Sequence, residues 1–100
     1  MWTTFKGHMM IESCLVELDE IKRILTEREA QHGDPKENLG RIASYWSSYL
    51  GINLTAEDVA LMMLLMKMGR LNTGKVKTDS VRDLVGYAAI ATGLSKQRDL

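Results

Sequence analysis

Eight consecutive apolar residues, Val59 to Met66 (VALMMLLM), constrain this chain more than any other stretch. Thr55-Ala56-Glu57-Asp58 precedes them with the pattern of a helix start, a hydroxyl cap followed three residues later by an acid. A helix that is apolar all the way round must be covered on all sides. It is therefore either the centre of a bundle or an element shared with a second subunit. With 100 residues available, one helix is not easily covered on every side. A homo-oligomer in contact through the Met-rich face is favoured, with a central helix in a monomer as the alternative.

The rest of the chain reads as helices around this one. Ile11, Leu15, Leu18, Ile21 and Leu25 form one stripe of a first helix over about Ile11–Ala30, and Cys14 beside them is expected to be a buried thiol. Leu39, Ile42, Ala43, Trp46 and Leu50 recur at helical spacing over Pro35–Tyr49, and Gly51 fits a C-terminal stop. Asp34, Pro35 and Glu37 stand at N-cap, N1 and N3 of that second helix, a capping-box arrangement. The Met-rich third helix runs to about Leu71, and Asn72-Thr73-Gly74 supplies a turn. A fourth helix over Ser80–Leu94 buries Val81, Leu84, Val85, Ala88 and Ala91, with Asp79 as its cap. Gly86 inside it costs about 1 kcal/mol against Ala, which close approach of a neighbouring helix or a ligand would offset. No segment alternates with period two, so the domain is all-α. Residues 1–9, with the tag-scar pattern GHM, are expected to be a leader, 10–94 the single domain, and 95–100 a frayed tail.

Thirteen acidic and thirteen basic side chains balance. A neutral chain has no global field to hold a phosphate backbone, which argues against general nucleic-acid binding. No apolar run approaches the ~20 residues needed to span a membrane. Zinc is not favoured, since His32 and Cys14 are the only nitrogen or sulfur ligands outside the leader.

Capping accounts for Asp34, Glu37, Asp58 and Asp79. It does not account for Asp83, one turn after Asp79 on the same face, with Cβ atoms about 5–6 Å apart. Two carboxylates so placed repel unless a cation lies between them, and Mg²⁺, which takes oxygen ligands and bridges to phosphates, suits the pair. Lys67 and Arg70 near the end of the third helix suit its dipole or a phosphate. His32 is open to a loop role or a ligand contact.

Three stretches, REAQHGDPKENLGRIASYWSSYLG, LTAEDVALMMLLMKMGRL and DSVRDLVGYAAIA, together resemble a family of small phage and prophage proteins. That family looks related to the MazG-like, all-α nucleoside triphosphate pyrophosphohydrolases. The resemblance covers Arg28 to Thr92 and implies a four-helix MazG-like bundle that oligomerises. By position it implies Mg²⁺ held by Glu57, Asp58, Asp79 and Asp83, with Lys67 and Glu37 in catalytic roles. His32, Asp34, Asn38, Arg70 and Tyr87 would contact the nucleotide or a related phosphate ligand. The usual acidic motifs are E-x-x-E and E-x-x-D. Here Glu57-Asp58 is followed by Ala60 and Leu61, and the second spacing is D-x-x-x-D. The fold and a nucleotide pocket are thus compatible with lost hydrolysis. The alternative is a non-catalytic phage accessory protein acting on a host protein or sequestering a nucleotide signal. Either would work in the cytoplasm of a bacterial host.

Overall fold

The computed structural model describes residues 4–73 and 78–98. Its elements are α1 (Thr4–His32), α2 (Pro35–Leu50), α3 (Ala56–Arg70), a 3₁₀ turn (Leu71–Thr73) and α4 (Thr78–Arg98), with no strand among the described residues. The protein is all-helical, as the periodicities require. No described helix is long and apolar enough to cross a membrane.

Local chemistry sets the boundaries of α2 and α3. Gly33 closes α1 in the left-handed region, at φ 87°, and its N–H donates to the Glu29 carbonyl at 2.8 Å. Asp34 then caps α2, its carboxylate accepting from the Lys36 N–H at 2.9 Å. The reciprocal bond from Glu37 is not made among the described residues, so this cap is half of a capping box. The box is complete at α3: Asp58 N–H donates to the Thr55 hydroxyl, and the Asp58 carboxylate accepts from Thr55 N–H. Gly51, at φ 72°, ends α2. Ser47 ties the following loop down, its hydroxyl accepting from Leu54 N–H at 2.8 Å.

The core lies where α2, α3 and α4 meet. Leu39, Ala43, Val59, Ala60 and Ala91 are buried there, flanked by Ile42, Trp46, Leu54, Met63, Ile90 and Leu94. Three alanines at this junction let the helix axes approach closely. Trp46 packs against the core, as its spacing implies. The α3 helix is central in the sense that it packs on both α2 and α4. It is not covered on every side, because Leu61, Met62, Leu65 and Met68 remain exposed.

Several expectations are corrected. The α1 stripe is not buried along its length: Ile21 is buried, but Ile11, Leu15 and Leu18 are each about half exposed, and Cys14 is exposed too. Periodicity identifies the apolar face of α1, but α4 covers only its C-terminal half. Leu50 and Val81 are also exposed rather than buried. The helix α1 begins at Thr4, so part of the expected leader is helical. Residues 95–98, expected to fray, continue α4 to Arg98. Asp79 lies inside the first turn of α4, which starts at Thr78, and so is not its cap. Gly74 of the expected turn lies outside the described residues.

Candidate functional site

The short Gly33-Asp34 connection folds the start of α2 against the last turns of α1, and α4 crosses beside both. A cleft of about 180 Å³ opens between the three helices. On α1, Ile21, Leu25, Arg28 and His32 succeed one another at spacings of four, three and four, so one stripe changes from apolar to polar as it reaches the mouth. On α4 the corresponding face carries Asp83, Gly86, Tyr87 and Ile90. Leu39 and Asn38 enter from α2. The floor is therefore aliphatic and the rim polar, which is the usual make-up of a small-ligand site.

The polar groups of the rim differ in how far they are already engaged. The Asn38 amide donates to the His32 carbonyl at 2.8 Å and accepts from Arg41 at 3.2 Å, fixing the end of α1 to α2. Among the described residues, nothing hydrogen-bonds the His32 imidazole or the Tyr87 hydroxyl. Asp83 is held between two cations: its Oδ2 lies 2.7 Å from Lys67 Nζ and its Oδ1 accepts from Arg28 at 3.1 Å. Lys67 and Asp83 are 14% and 18% exposed, whereas Arg28 is 52% exposed. Just along α4, Arg82 holds Glu17 of α1 through two hydrogen bonds from Nε and Nη2. These bonds to Arg82 hold the Glu17 carboxyl below the usual glutamate range, and burial opposes them only in part.

Not all of the expected site residues come together. His32, Asn38, Asp83 and Tyr87 line the one cleft, and Lys67 reaches Asp83 from behind it. Asp34 and Glu37 sit at the exposed start of α2, Asp34 as its cap. Arg70 is on the exposed last turn of α3, and Asp79 is exposed one turn before Asp83. Glu57 and Asp58 are at the opposite end of α3 from Lys67, about 14 Å away along the helix axis. There Glu57 pairs with Arg98 at 2.7 Å, and Asp58 is spent on its cap.

This arrangement does not fit a Mg²⁺ ion held by one copy of the chain. The first acidic pair lies at the wrong end of α3, and both Asp83 oxygens already face cations. Among the described residues, no three His, Cys, Asp or Glu side chains stand together in a way that would hold a metal. Arg28 and Arg82 belong to the site and were not singled out as ligand contacts from the sequence. Arg28 carried a usable signal, since it lies one turn before His32 on the same face.

Residues 15–95 match the family model described as a domain of unknown function, DUF6378. The chain belongs to this family. It is 39% identical over 88 residues to the Gene 55 protein of Mycobacterium phage L5, covering 87% of this chain and 55% of that protein. To the Gene 55 protein of Mycobacterium phage D29 it is 39% identical over 72 residues, covering 71% of this chain and 48% of the relative. The chain thus spans about half the length of the curated relatives it matches. No solved structure matches it. The phage kinship expected from the three motif stretches is supported, at the level of a phage protein family whose function is unknown.

Proposed function

We propose that this domain is a nucleotide-binding relative of the MazG-like pyrophosphohydrolases, serving phage nucleotide metabolism in the bacterial host. The observation that supports this reading is the cleft itself. An aliphatic floor that can take a flat ring ends at His32 and Tyr87, two groups able to hydrogen-bond a heterocycle edge or a sugar. Arg28, with one hydrogen bond to Asp83 and its remaining N–H groups turned to solvent, is placed to meet a phosphate oxygen.

Binding is favoured over hydrolysis. Pyrophosphate release of the MazG-like kind runs on Mg²⁺ held by convergent carboxylates, and within one copy of the chain Glu57 and Asp58 lie far from Asp83. The test is direct. Thermal melts and calorimetric titrations with nucleosides, nucleotides and their modified forms report binding, and pyrophosphate release in the presence of Mg²⁺ reports turnover. Saturable binding without turnover supports the proposal. If no nucleoside or nucleotide shifts the melt or gives a heat, the proposal fails.

The same reading includes a second copy of the chain on the Met-rich face. Leu61, Leu65 and Met68 recur at i, i+4 and i+7 along exposed α3. The accessible surface is 7717 Å², against about 5,700 Å² for a compact monomer of 11.3 kDa. The radius of gyration is 16.2 Å, against about 13 Å for a compact domain of this length. The exposed α3 stripe contributes to this excess together with the uncovered N-terminal half of α1.

A further inference from the structure

We infer that the cleft takes a nucleoside bearing at most one phosphate, and that Gly86 is the residue that keeps its floor open for the ring. This rests on the nucleotide-binding reading above and names the ligand class within it.

The first observation is charge. The charged groups of the lining are Arg28 and Glu29 on α1 and Arg82 and Asp83 on α4, with His32 at the mouth. Behind them, Lys67 faces Asp83 and Glu17 faces Arg82. Every one of these cations is matched by a carboxylate, so the cleft has no surplus positive charge for a triphosphate chain. The start of α2, where helix amides often hold a phosphate, is already taken by the Asp34 carboxylate. Arg28, 52% exposed against 28% for Arg82, is the cation of the lining most open to a ligand at the rim. The volume agrees: about 180 Å³ is below the ~300–1,000 Å³ of common ligand clefts and suits one ring system better than an extended polyphosphate.

The second observation is Gly86. Glycine inside a helix is unfavourable relative to alanine, so its presence at a buried position of α4 needs a reason. Close packing of α1 is not that reason. A Cβ built at Gly86 would meet Leu25 Cδ2 at 3.6 Å, an ordinary van der Waals contact, with no nearer obstacle. Alanine therefore fits the fold, and what it would fill is the cleft floor between Leu25 and Ile90. The missing methyl is space for ligand.

The experiment titrates the full chain, without Mg²⁺, with the four deoxynucleosides, their 5′-monophosphates and their 5′-triphosphates, in the wild type and in Gly86→Ala and Tyr87→Phe. At least one nucleoside should bind, its monophosphate several-fold tighter, and its triphosphate no tighter than the monophosphate. Gly86→Ala should melt a few degrees higher and bind at least tenfold more weakly, and Tyr87→Phe should fold normally and lose several-fold in affinity. If triphosphates bind clearly tighter than monophosphates, the nucleotide-binding reading stands and the ligand class inferred here is wrong. If Gly86→Ala binds as the wild type does, the floor assignment is wrong. If none of the twelve compounds binds, the ligand class inferred here is wrong, and the nucleotide-binding reading falls with it when ribonucleotides and modified nucleotides also leave the melt unchanged.

Discussion

Replacing Asp83 by Asn tests whether the Lys67–Asp83–Arg28 group holds α3, α4 and α1 together. The amide keeps the size of the side chain and one acceptor oxygen but removes the charge between two cations. Arg28, half in solvent, can rehydrate at little cost. Lys67, 14% exposed, cannot do so fully. Breaking a fully buried pair costs about 3–5 kcal/mol, and a hydrogen bond to a charged group contributes about 1.5–3 kcal/mol. Because both side chains keep some solvent contact, the lower range applies, and about 2 kcal/mol is expected. For a domain of this size that corresponds to a melting point roughly 8–16 °C lower. Lys67→Met should cost less, about 1 kcal/mol, because Asp83 keeps Arg28 as a partner. A double-mutant cycle should therefore give a coupling of about 1 kcal/mol or more. Urea unfolding at one fixed protein concentration, which keeps the proposed assembly from entering the comparison, reads all three values. A loss below about 0.5 kcal/mol for Asp83→Asn, with no coupling, would refute the reasoning. Mg²⁺ alone should leave the wild-type midpoint unchanged, since Asp83 already faces two cations.

Three further outcomes are expected. The Glu17 carboxyl is depressed in the folded protein by its hydrogen bonds to Arg82. Its contribution is present above the unfolded value of about 4.3 and is lost as pH falls through the lower folded value. Amide protection factors in α1, taken relative to the intrinsic exchange rate at each pH, should therefore fall in acid below about pH 4.3, and an Arg82→Gln variant should lack that step. Leu65→Arg on the exposed α3 stripe should reduce the assembled mass seen by light scattering to that of one chain. A wild type that already has the mass of one chain, or a variant mass equal to that of an assembled wild type, would refute the proposed contact on α3. Thr55→Ala removes a complete capping box and should cost about 1 kcal/mol in the same urea assay. A loss near zero would show that the cap bond is compensated by water.

The parts of the fold that were legible in the sequence are those set by neighbours along the chain. Asp34 and Gly51 mark where α2 starts and stops and Thr55 where α3 starts, because caps and left-handed turns are chosen by a few adjacent residues. The core positions Leu39, Ala43 and Ala91 followed from helical spacing. What covers an apolar face is a tertiary fact. Ile11, Leu15 and Leu18 carry the same stripe as Ile21, yet only Ile21 meets enough of the rest of the chain to be buried. The site divides in the same way. His32, Asn38, Asp83 and Tyr87 were marked individually, but the partner of Asp83 is Lys67, sixteen residues earlier on another helix. No spacing rule connects those two residues. The carboxylate pair at Asp79 and Asp83 suggested a cation, and the cations found at Asp83 are the protein's own.

The central claim is that the cleft between α1, α2 and α4 is where this protein meets its ligand. The most direct measurement is a nitrogen-15 amide spectrum of the full chain, titrated with deoxynucleosides and their 5′-monophosphates. The account predicts saturable shifts at His32, Gly33, Asn38, Gly86 and Tyr87, with Glu57 and Asp58 at the far end of α3 unmoved. Shifts centred on Glu57 and Asp58, or no shifts at any concentration, would contradict it.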